Sequence, residues 1–383
     1  MPENFHIDMP EAVRNIIHTI EEHGFKAYAV GGCIRDSILG RNPDDWDITT
    51  SAVPSQIKTF FKRTVDTGIA HGTVTIMIDK TGYEVTTYRI DGEYEDGRHP
   101  KSVEFSDRLV DDLCRRDFTI NAMAYNDTDG FVDEFKGLDD LDTKIIRCVG
   151  EPELRFTEDA LRMMRAIRFS AQLGFTIDEA TWNAIKKLSP SISKISMERV
   201  HVELGKTLMS AHPDYVAQYS EAGLFAPILP VIDNALKSRY KRKILATLQH
   251  TPDNIYLRYA ALFITSTPDE AAKTLRALKL DNKTVNTVSK LVELSKMDIE
   301  ETEPAVRTAL NKYGRDFLPL WHELMMAVIQ ASEDITGISN PAKVKHLLTL
   351  KRLGTDILAR GDCFTIKDLD ISGNDLIEYG LQG

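Results

Sequence analysis

The sequence is poor in cysteine: Cys33, Cys114, Cys148 and Cys363 are the four cysteines of the chain, and they lie far apart. They form no C-x-x-C pair and no cluster with histidine. The sequence therefore predicts neither a disulfide framework nor a zinc site. We expect four buried thiols.

Long apolar runs are absent too. No run of about 18 apolar residues occurs, and the first residues lack the basic and apolar regions of a signal peptide. We therefore expect a cytoplasmic protein without membrane contact. A chain of 383 residues, 42% of them hydrophobic, is long enough for about two to four globular domains.

A surplus of basic residues is the third absence, since the net charge is −11. Nucleic-acid binding depends on Lys and Arg contacts to phosphate. The negative charge is confined to residues 1–150, which hold 17 basic and 28 acidic side chains, whereas residues 151–383 hold 30 of each. The basic clusters 237–243 and 343–352 can follow a nucleic-acid backbone or form solvated helix faces, and the sequence leaves both open.

Two common phosphate-chemistry motifs are missing. No His-Asp dipeptide occurs, which removes one common signature of metal phosphohydrolases. Gly205-Lys206-Thr207 imitates a P-loop, but Val200 stands where the motif requires glycine and no predicted strand precedes it. A P-loop ATPase is excluded on that ground.

What is present begins with an apolar strand, Phe25 to Val30, that leads into Gly31-Gly32. Glycine has no Cβ atom, so backbone N–H groups there can face an anion, and Arg35 follows on the next predicted helix. The pattern predicts a phosphate-binding turn.

A pair of carboxylates follows one helix and one loop later. Asp45 and Asp47 flank Trp46 at the start of a second predicted strand, so the period of two places both on one face. Mg²⁺ prefers such hard oxygen ligands and shares them with substrate phosphates. The alternative is a solvated strand edge after the turn-like Pro43-Asp44. The glycine turn upstream favours the magnesium site.

A third stretch, 115–122, reads RRDFTINA. Arg115 or Arg116 can bind phosphate, and Asp117 and Asn121 are four apart on one face of a predicted helix, where they can hydrogen-bond a ribose hydroxyl. The alternative is an ordinary charged helix start.

A fourth stretch is a predicted helix that begins at the N-cap Thr157 and ends at Gly174. Its arginines recur at three-residue steps beside an apolar face, from Arg162 onward. A simple i,i+3 ion pair between Asp159 and Arg162 is the structural alternative to a functional role.

Other elements are predicted from periodicity and turn residues. Strand character should stop at Gly150, with only helices after it. The remaining predictions are an amphipathic helix over 10–23, a β-hairpin of 72–78 and 83–88 turned at 80–82, a long charged loop over 89–105, and short strands around a helix over 131–149.

Together these stretches resemble the class II tRNA nucleotidyltransferases of the DNA polymerase β superfamily, specifically the bacterial CCA-adding enzymes. The resemblance spans roughly residues 20–210. It rests on GGCIRDSILG at 31–40 with DDWD at 44–47, RRDFTINA at 115–122, EDALRMMR at 158–165 and ISMERVHVEL at 195–204.

The resemblance implies an α+β protein: a polymerase-β-like nucleotidyltransferase head with a mixed β-sheet and helices, followed by all-α neck, body and tail domains. The expected bounds are 1–150 for the head, 151–210 for the neck, 211–285 for the body and 286–383 for the tRNA-binding tail. Because the chain ends at Gly383 directly after a predicted helix, we expect a natural C-terminal segment beyond it.

The resemblance also implies residue roles. Asp45 and Asp47 would hold catalytic Mg²⁺, with Glu84 as a third carboxylate, although a single Glu on a strand can equally face water. The nucleotide-binding residues would be Gly31, Gly32 and Arg35 at the triphosphate, Arg116, Asp117 and Asn121 at the ribose, Asp159 and Arg162 at the base, and Arg165 at a phosphate.

The base-contacting pair can also be derived from the bases themselves. Cytosine and adenine each present an amino donor beside a ring-nitrogen acceptor, whereas guanine and uracil reverse that order. An acceptor such as Asp159 beside a donor such as Arg162 therefore selects C and A. A wrong base leaves buried polar groups unpaired, which penalises it.

The implied activity is addition of C, C and A to the tRNA 3′ end from CTP and ATP, with release of pyrophosphate and with no protein partner indicated. The alternatives are CC-adding and A-adding enzymes, a bacterial poly(A) polymerase, and a silent RNA-binding protein. Residues 62–78 lack the arginine-rich stretch expected of the polymerase, the 89–105 loop argues against a CC-adding enzyme, and intact Asp45 and Asp47 argue against a silent protein.

Overall fold

The computed structural model describes residues 6–92, 102–365, 368, 371 and 373–380. The chain divides into two compact units, the first made of Met1–Ser196 with Glu221–Pro227 and the second of Met197–Ser220 with Ile228–Gly383. All strands of the described ranges lie in the first unit, and the second unit is helical. The predicted α+β class is confirmed, whereas the division into four domains stays a prediction.

The strands of the first unit are β1 Ala27–Val30, β2 Asp47–Thr50, β3 Thr64–Gly68, β4 Thr73–Ile78, β5 Thr81–Thr87, β6 Arg89–Asp91, β7 Val103–Phe105, β8 Ala124–Asn126, β9 Gly130–Val132, β10 Ile145–Ile146 and β11 Thr176–Ile177. Seven of them form the mixed sheet that is the framework of this unit, in the order β3-β4-β5-β2-β1-β8-β9. Strands β2 and β5 are parallel, and the other neighbours in this sheet are antiparallel.

Helices cover the sheet and continue after it. In α1, the buried residues Val13, Ile16, Ile17 and Ile20 fall on one face, which is the amphipathic pattern predicted for 10–23. The helices of the first unit are α1 Glu11–Glu22, α2 Gly32–Ile38, α3 Pro54–Phe60, α4 Leu109–Cys114, α5 Gly137–Asp142, α6 Pro152–Glu158, α7 Leu161–Leu173 and α8 Glu179–Leu188.

The predicted hairpin forms between β4 and β5, but its turn is at Asp79-Lys80, not at 80–82. Both turn residues have positive φ, 47° and 70°, which is the geometry of a two-residue hairpin turn. The prediction was wrong because Gly82 was taken as the turn residue. Gly82 instead lies in β5 opposite Met77.

The predicted loop over 89–105 is only partly irregular. Its two ends pair as an antiparallel ribbon, β6 with β7, with Arg89 opposite Phe105. Residues 93–101, the middle of the predicted loop, lie outside the described residues.

Two predictions for the region after Gly150 were wrong. Strand character returns at β11, which pairs in parallel with β10, because these short extended segments complete each other's hydrogen bonds. The helix predicted from Thr157 to Gly174 is two helices, α6 and α7. Thr157 is not an N-cap, since its hydroxyl donates to the Glu153 carbonyl inside α6. Gly174 ends α7 in the left-handed conformation, as predicted.

The helices after residue 196 include the two longest, α17 and α18, of 20 residues each. None of the helices in the described ranges is both long and apolar enough to cross a membrane. The helices are α9 Met197–Leu208, α10 Val216–Glu221, α11 Pro230–Lys237, α12 Lys241–His250, α13 Ile255–Leu262, α14 Pro268–Ala277, α15 Asn282–Leu294, α16 Glu303–Tyr313, α17 Phe317–Thr336, α18 Pro341–Arg360 and α19 Gly373–Glu378.

The cysteines are free thiols, but only Cys33 and Cys148 are buried. Cys114 and Cys363 are exposed, so the prediction of four buried thiols was wrong for these two. Cys114 ends α4, a helix whose buried residues are Asp112 and Leu113.

Candidate active site

The glycine turn connects β1 to α2 and needs glycine for two reasons. Gly31 has φ 86° and ψ −131°, a backbone conformation that side chains rarely adopt. A Cβ atom there would lie 2.9 Å from Nη1 of Arg116. The turn thus lets an arginine from a distant part of the chain approach the backbone.

One expectation for this turn was wrong. The Gly31 N–H donates to the carbonyl of Met123 at 3.2 Å, because the turn is tied to the chain just before β8. That N–H is therefore not directed at an anion. Gly32 begins α2, and its place beside a phosphate stays a prediction.

Arg35 lies on α2 and is buried. Its Nη1 donates to Oδ1 of Asn121 at 2.6 Å, and its Nε and Nη2 pair with Asp36. Its guanidinium carbon also lies 5.0 Å from the ring centroid of Phe169 on α7. Three elements therefore fix the direction of this arginine.

The carboxylate pair lies at the beginning of β2, on the strand next to β1. Asp47 is the first strand residue, opposite Val30, and Asp45 lies two residues earlier, before the strand begins. Trp46 is buried whereas Asp45 and Asp47 are exposed, which is the alternation expected from the sequence. The two carboxylates are available to a ligand at this end of the central strands.

Glu84 belongs to the same group of charges. The parallel register of β2 and β5 places Ile48 opposite Val85, so Glu84 precedes the paired residue just as Asp47 does. Partial desolvation raises the pKa of Glu84, and the nearby Asp47 and Asp45 raise it further. Glu84 is exposed as well as close to the two aspartates, so its role as a third carboxylate stays a prediction.

The pKa of Asp47 is set by opposing effects of desolvation and of neighbouring charges. Although Asp47 keeps exposed surface, the surrounding protein partly desolvates its carboxylate and raises its pKa. Arg116 opposes that rise and Asp45 adds to it. No group of three or more His, Cys, Asp or Glu side chains in the described ranges could by itself hold a metal ion. A carboxylate pair that needs oxygen ligands from a substrate fits Mg²⁺, which is bound in that way.

The RRDFTINA stretch is not the helix that we expected. Helix α4 ends at Cys114, Phe118 is extended, and Thr119–Asn121 form one 3-10 turn. Asp117 and Asn121 still meet, because Nδ2 of Asn121 donates to Oδ1 of Asp117 at 3.0 Å. The Phe118 N–H donates to the same oxygen, so the side chain of Asp117 competes with helix formation.

Asp117 connects this turn to α7. Oδ2 of the buried Asp117 accepts from Nε of Arg165 at 2.7 Å. Burial alone would raise the pKa of Asp117, but Arg165, the amide of Asn121 and Arg162 outweigh it and hold the pKa well below its usual range. Arg35, Asn121, Asp117 and Arg165 thus form one continuous chain of hydrogen bonds.

Phe169 is a residue of this site that sequence reasoning missed. Its ring lies 5.0 Å from Arg35, 5.3 Å from Arg165 and 3.9 Å from Arg168, measured to each guanidinium carbon. Phe118 meets the same ring edge-on at 5.8 Å. The signal available in the sequence was its position on α7 one turn after Arg165.

Asp159 and Arg162 lie where α6 gives way to α7. The chain is extended at Asp159, and its Oδ1 accepts from the Leu161 N–H at 3.0 Å. Arg162 pairs with Glu158 at 2.5 Å and donates to the Arg115 carbonyl at 2.8 Å. Both residues thus lie at a break in the helix, and Glu158 is a partner that the sequence analysis did not single out.

Comparison with known proteins adds to this geometry. A family profile described as the poly A polymerase head domain matches residues 27–147, and one described as a probable RNA- and SrmB-binding site of polymerase A matches residues 174–236. A CCA-adding enzyme of Streptococcus suis is 38% identical over 359 residues, which are 91% of this chain and 84% of that protein. The chain belongs to the family of CCA-adding enzymes.

Two further relatives of the CCA-adding family differ in their identity to this chain and in the share of it that they match. The enzyme of Limosilactobacillus reuteri is 49% identical over 230 residues, 59% of this chain, and the chain spans only 56% of that relative's length. The crystal structure of the Bacillus stearothermophilus CCA-adding enzyme in complex with CTP has a TM-score of 0.74 and 33% identity, and the match covers 97% of this chain and 88% of that one. Asp159, Arg162 and Arg165 fall between the two profile matches.

Proposed function

We propose that the protein is a template-independent CCA-adding tRNA nucleotidyltransferase, which adds C, C and A to the tRNA 3′ end from CTP and ATP and releases pyrophosphate. The observation that carries this proposal is the arrangement of the adjacent central strands β1, β2 and β5, where the end of β1 lies beside the start of β2. There the Asp47–Glu84 register, the Gly31 turn and Arg116 bring carboxylates and a cation to the same place. Membership of the CCA-adding family supports it.

In this proposal Asp45 and Asp47 hold Mg²⁺, with Glu84 beside them. The ion would supply charge neutralisation for the attacking 3′-hydroxyl and for the departing pyrophosphate. The Arg116 guanidinium favours the ionised form of Asp47, because it opposes the rise in pKa that desolvation and Asp45 cause. The chain itself then needs to supply little acid–base chemistry.

The nucleotide-binding part of the proposal assigns the arginines and their partners. Gly32 and Arg35 bind the triphosphate at the turn that Gly31 makes possible, and Arg116, Asp117 and Asn121 bind the ribose. Arg165, which lies on α7, would contact a phosphate. Its hydrogen bond to Asp117 supports this role, because Asp117 is assigned to the ribose. The continuous hydrogen-bond chain from Arg35 to Arg165 supports treating these residues as one site.

Base selection is assigned to Asp159 and Arg162. The extended backbone at Asp159 separates α6 from α7, so its side chain is set by the break rather than by a helix face. Arg162 is oriented by Glu158 and by the Arg115 carbonyl. In this proposal Asp159 supplies the acceptor and Arg162 the donor that match the edge shared by cytosine and adenine.

Binding of tRNA is assigned to the helical part of the chain, as the sequence predicts. In the basic cluster 237–243, Lys237 pairs with Asp233, whereas Arg239 stacks on the exposed ring of Tyr240 at 4.9 Å. A cation on an exposed aromatic ring is a surface that suits nucleic acid. Binding of tRNA by the predicted tail, 286–383, and a cytoplasmic location remain predictions.

A poly(A) polymerase is the second candidate, because one matching profile carries that description. The deciding experiment incubates the protein with tRNA lacking its 3′ end, Mg²⁺ and each labelled nucleotide, followed by sequencing of the products. We expect ordered addition of C, C and A. Homopolymer A tails, a stop after CC, or a lone A would each replace the proposal by the corresponding alternative.

A further inference from the structure

One fully buried carboxylate in the first unit has no role in the assignments above. The side chain of Asp112, on α4, has no exposed surface. Its Oδ1 accepts from Nε and Nη2 of Arg115 at 2.9 and 2.6 Å. Its Oδ2 accepts from Nη2 of Arg116 at 3.0 Å and from the hydroxyl of Thr49 at 3.1 Å.

These partners connect two halves of the candidate site. Thr49 lies on β2, two residues after Asp47, so both point to the same side of the strand. Arg116 reaches the Gly31 turn, where its Nη1 lies 2.9 Å from the place of a Cβ atom. Asp112 therefore ties the strand that carries the carboxylates to the arginine that lies against the glycine turn.

Arg116 is held by Asp112 but is not enclosed by it. The carboxylate of Asp112 is shared with Arg115, and the charge of Arg116 also acts on Asp47. Within the described part of the chain, the buried Nε of Arg116 has no hydrogen-bond partner. The side chain is 18% exposed, which leaves a path to a ligand. Arg116 is thus held through Nη2 by Asp112 and is still partly exposed to a ligand.

We propose that Asp112 is the positioning residue for Arg116: it fixes the guanidinium between β2 and the glycine turn so that it meets the incoming nucleotide. This inference rests on the proposed nucleotide site. The competing explanation is a buried ion pair that only stabilises the fold, since breaking such a pair is costly by itself. The two explanations differ in whether the effect of Asp112 passes through Arg116.

A double-mutant cycle on CTP binding separates them. Dissociation constants for CTP with Mg²⁺ are measured by calorimetry for the wild type, Asp112→Asn, Arg116→Ala and the double variant, each checked by thermal unfolding. We expect each single variant to bind CTP about tenfold or more weakly, the scale of a charge-assisted hydrogen bond. The double variant should bind no more weakly than Arg116→Ala.

Asp233→Asn is the matched control, because Asp233 is also buried and accepts from a hydroxyl, of Ser220, and from a cation, Lys237, in the second unit. It should lose stability yet keep wild-type CTP affinity. A folded Asp112→Asn with wild-type affinity, or single-variant effects that multiply in the double variant, would overturn the inference.

A gentler variant covers the case in which Asp112→Asn does not fold. Thr49→Val removes only the hydroxyl bond to Asp112 and a 3.2 Å bond to the Thr86 carbonyl. We expect CTP binding about three- to tenfold weaker, the scale of one neutral hydrogen bond. Unchanged affinity in a folded Thr49→Val would contradict the inference. A wild type that binds CTP but extends no tRNA would refute the proposed function and leave this test intact.

Discussion

Both Nε and Nη2 of Arg165 lie 2.7 Å from Oδ2 of Asp117. This paired contact joins helix α7 to the 3-10 turn at Thr119–Asn121, and through Asn121 to Arg35 on α2. Two segments that are about fifty residues apart in sequence are thereby held in one orientation. Both ends of the pair are residues that the proposed site uses.

The first prediction concerns the pH dependence of this contact. Asp117→Asn keeps the Oδ1 acceptor but loses the charge that binds Arg165, so the free energy of unfolding should fall by about 2 kcal/mol at neutral pH. Because the pKa of Asp117 is lowered in the folded protein, its stabilising effect is complete above the unfolded-state pKa and is lost progressively as the pH falls from that value toward the folded-state pKa.

Urea unfolding from pH 7 to pH 3 checks this. The difference between wild type and Asp117→Asn should stay constant down to about pH 5 and shrink below about pH 4, where the unfolded aspartate binds a proton. A difference that grew toward acid pH would show that the pKa is raised rather than lowered.

The second prediction uses two glycines with the same φ. Gly31 and Gly24 both have φ 86°, but a Cβ at Gly24 meets nothing within 4 Å, whereas one at Gly31 meets Arg116. Substitution by alanine should cost about 1–3 kcal/mol of stability at either position. Only Gly31→Ala should also raise the KM for CTP, because it displaces the guanidinium.

Thermal unfolding and nucleotide kinetics on the two variants test this comparison. If Gly24→Ala raised the KM as much as Gly31→Ala, the effect would come from general destabilisation. Equal KM values for CTP in the wild type and in a folded Gly31→Ala variant would show that Arg116 does not bind the nucleotide.

The third prediction concerns base selection. Asp159→Ala and Arg162→Ala should relax discrimination against UTP and GTP, because the acceptor–donor pair that matches C and A is lost. Glu153→Ala is the control: Glu153 is an exposed residue of α6 whose partner is the exposed Lys187. Competition assays with mixed nucleotides measure the preference. Variants that lose rate but keep full preference for CTP and ATP would show that Asp159 and Arg162 have only a structural role.

The sequence predicted the elements at the site better than their boundaries. The β1–Gly31–α2 turn and the alternation around Trp46 depend on local rules, glycine conformation and strand periodicity, and both are present in the structure. The break at Asp159 and the 3-10 turn after Phe118 were missed. In both places an aspartate side chain binds a nearby backbone N–H and displaces regular helix, an effect that periodicity does not register.

Contacts between distant parts of the chain were beyond sequence reasoning. Asp112 reads as an ordinary acidic residue in a helix, and only the fold shows that it is buried against Thr49, 63 residues earlier. Phe169 reads as a core residue of α7, and only the fold places Arg35 on its ring. Likewise β11 is too short to have a periodic signal and exists because β10 pairs with it.

The central claim is that nucleotide addition takes place at the carboxylate pair at the start of β2. It is tested most directly by comparing Asp45→Ala and Asp47→Ala with Asp44→Ala, an exposed neighbour outside the pair, in CTP addition to tRNA lacking its 3′ end. We expect either of the first two variants to fall below about 1% of wild-type turnover in Mg²⁺, since a catalytic ion supplies several kcal/mol, while folding and tRNA binding stay nearly intact. Asp44→Ala should remain active. Substantial turnover in Asp47→Ala or Asp45→Ala would contradict the account.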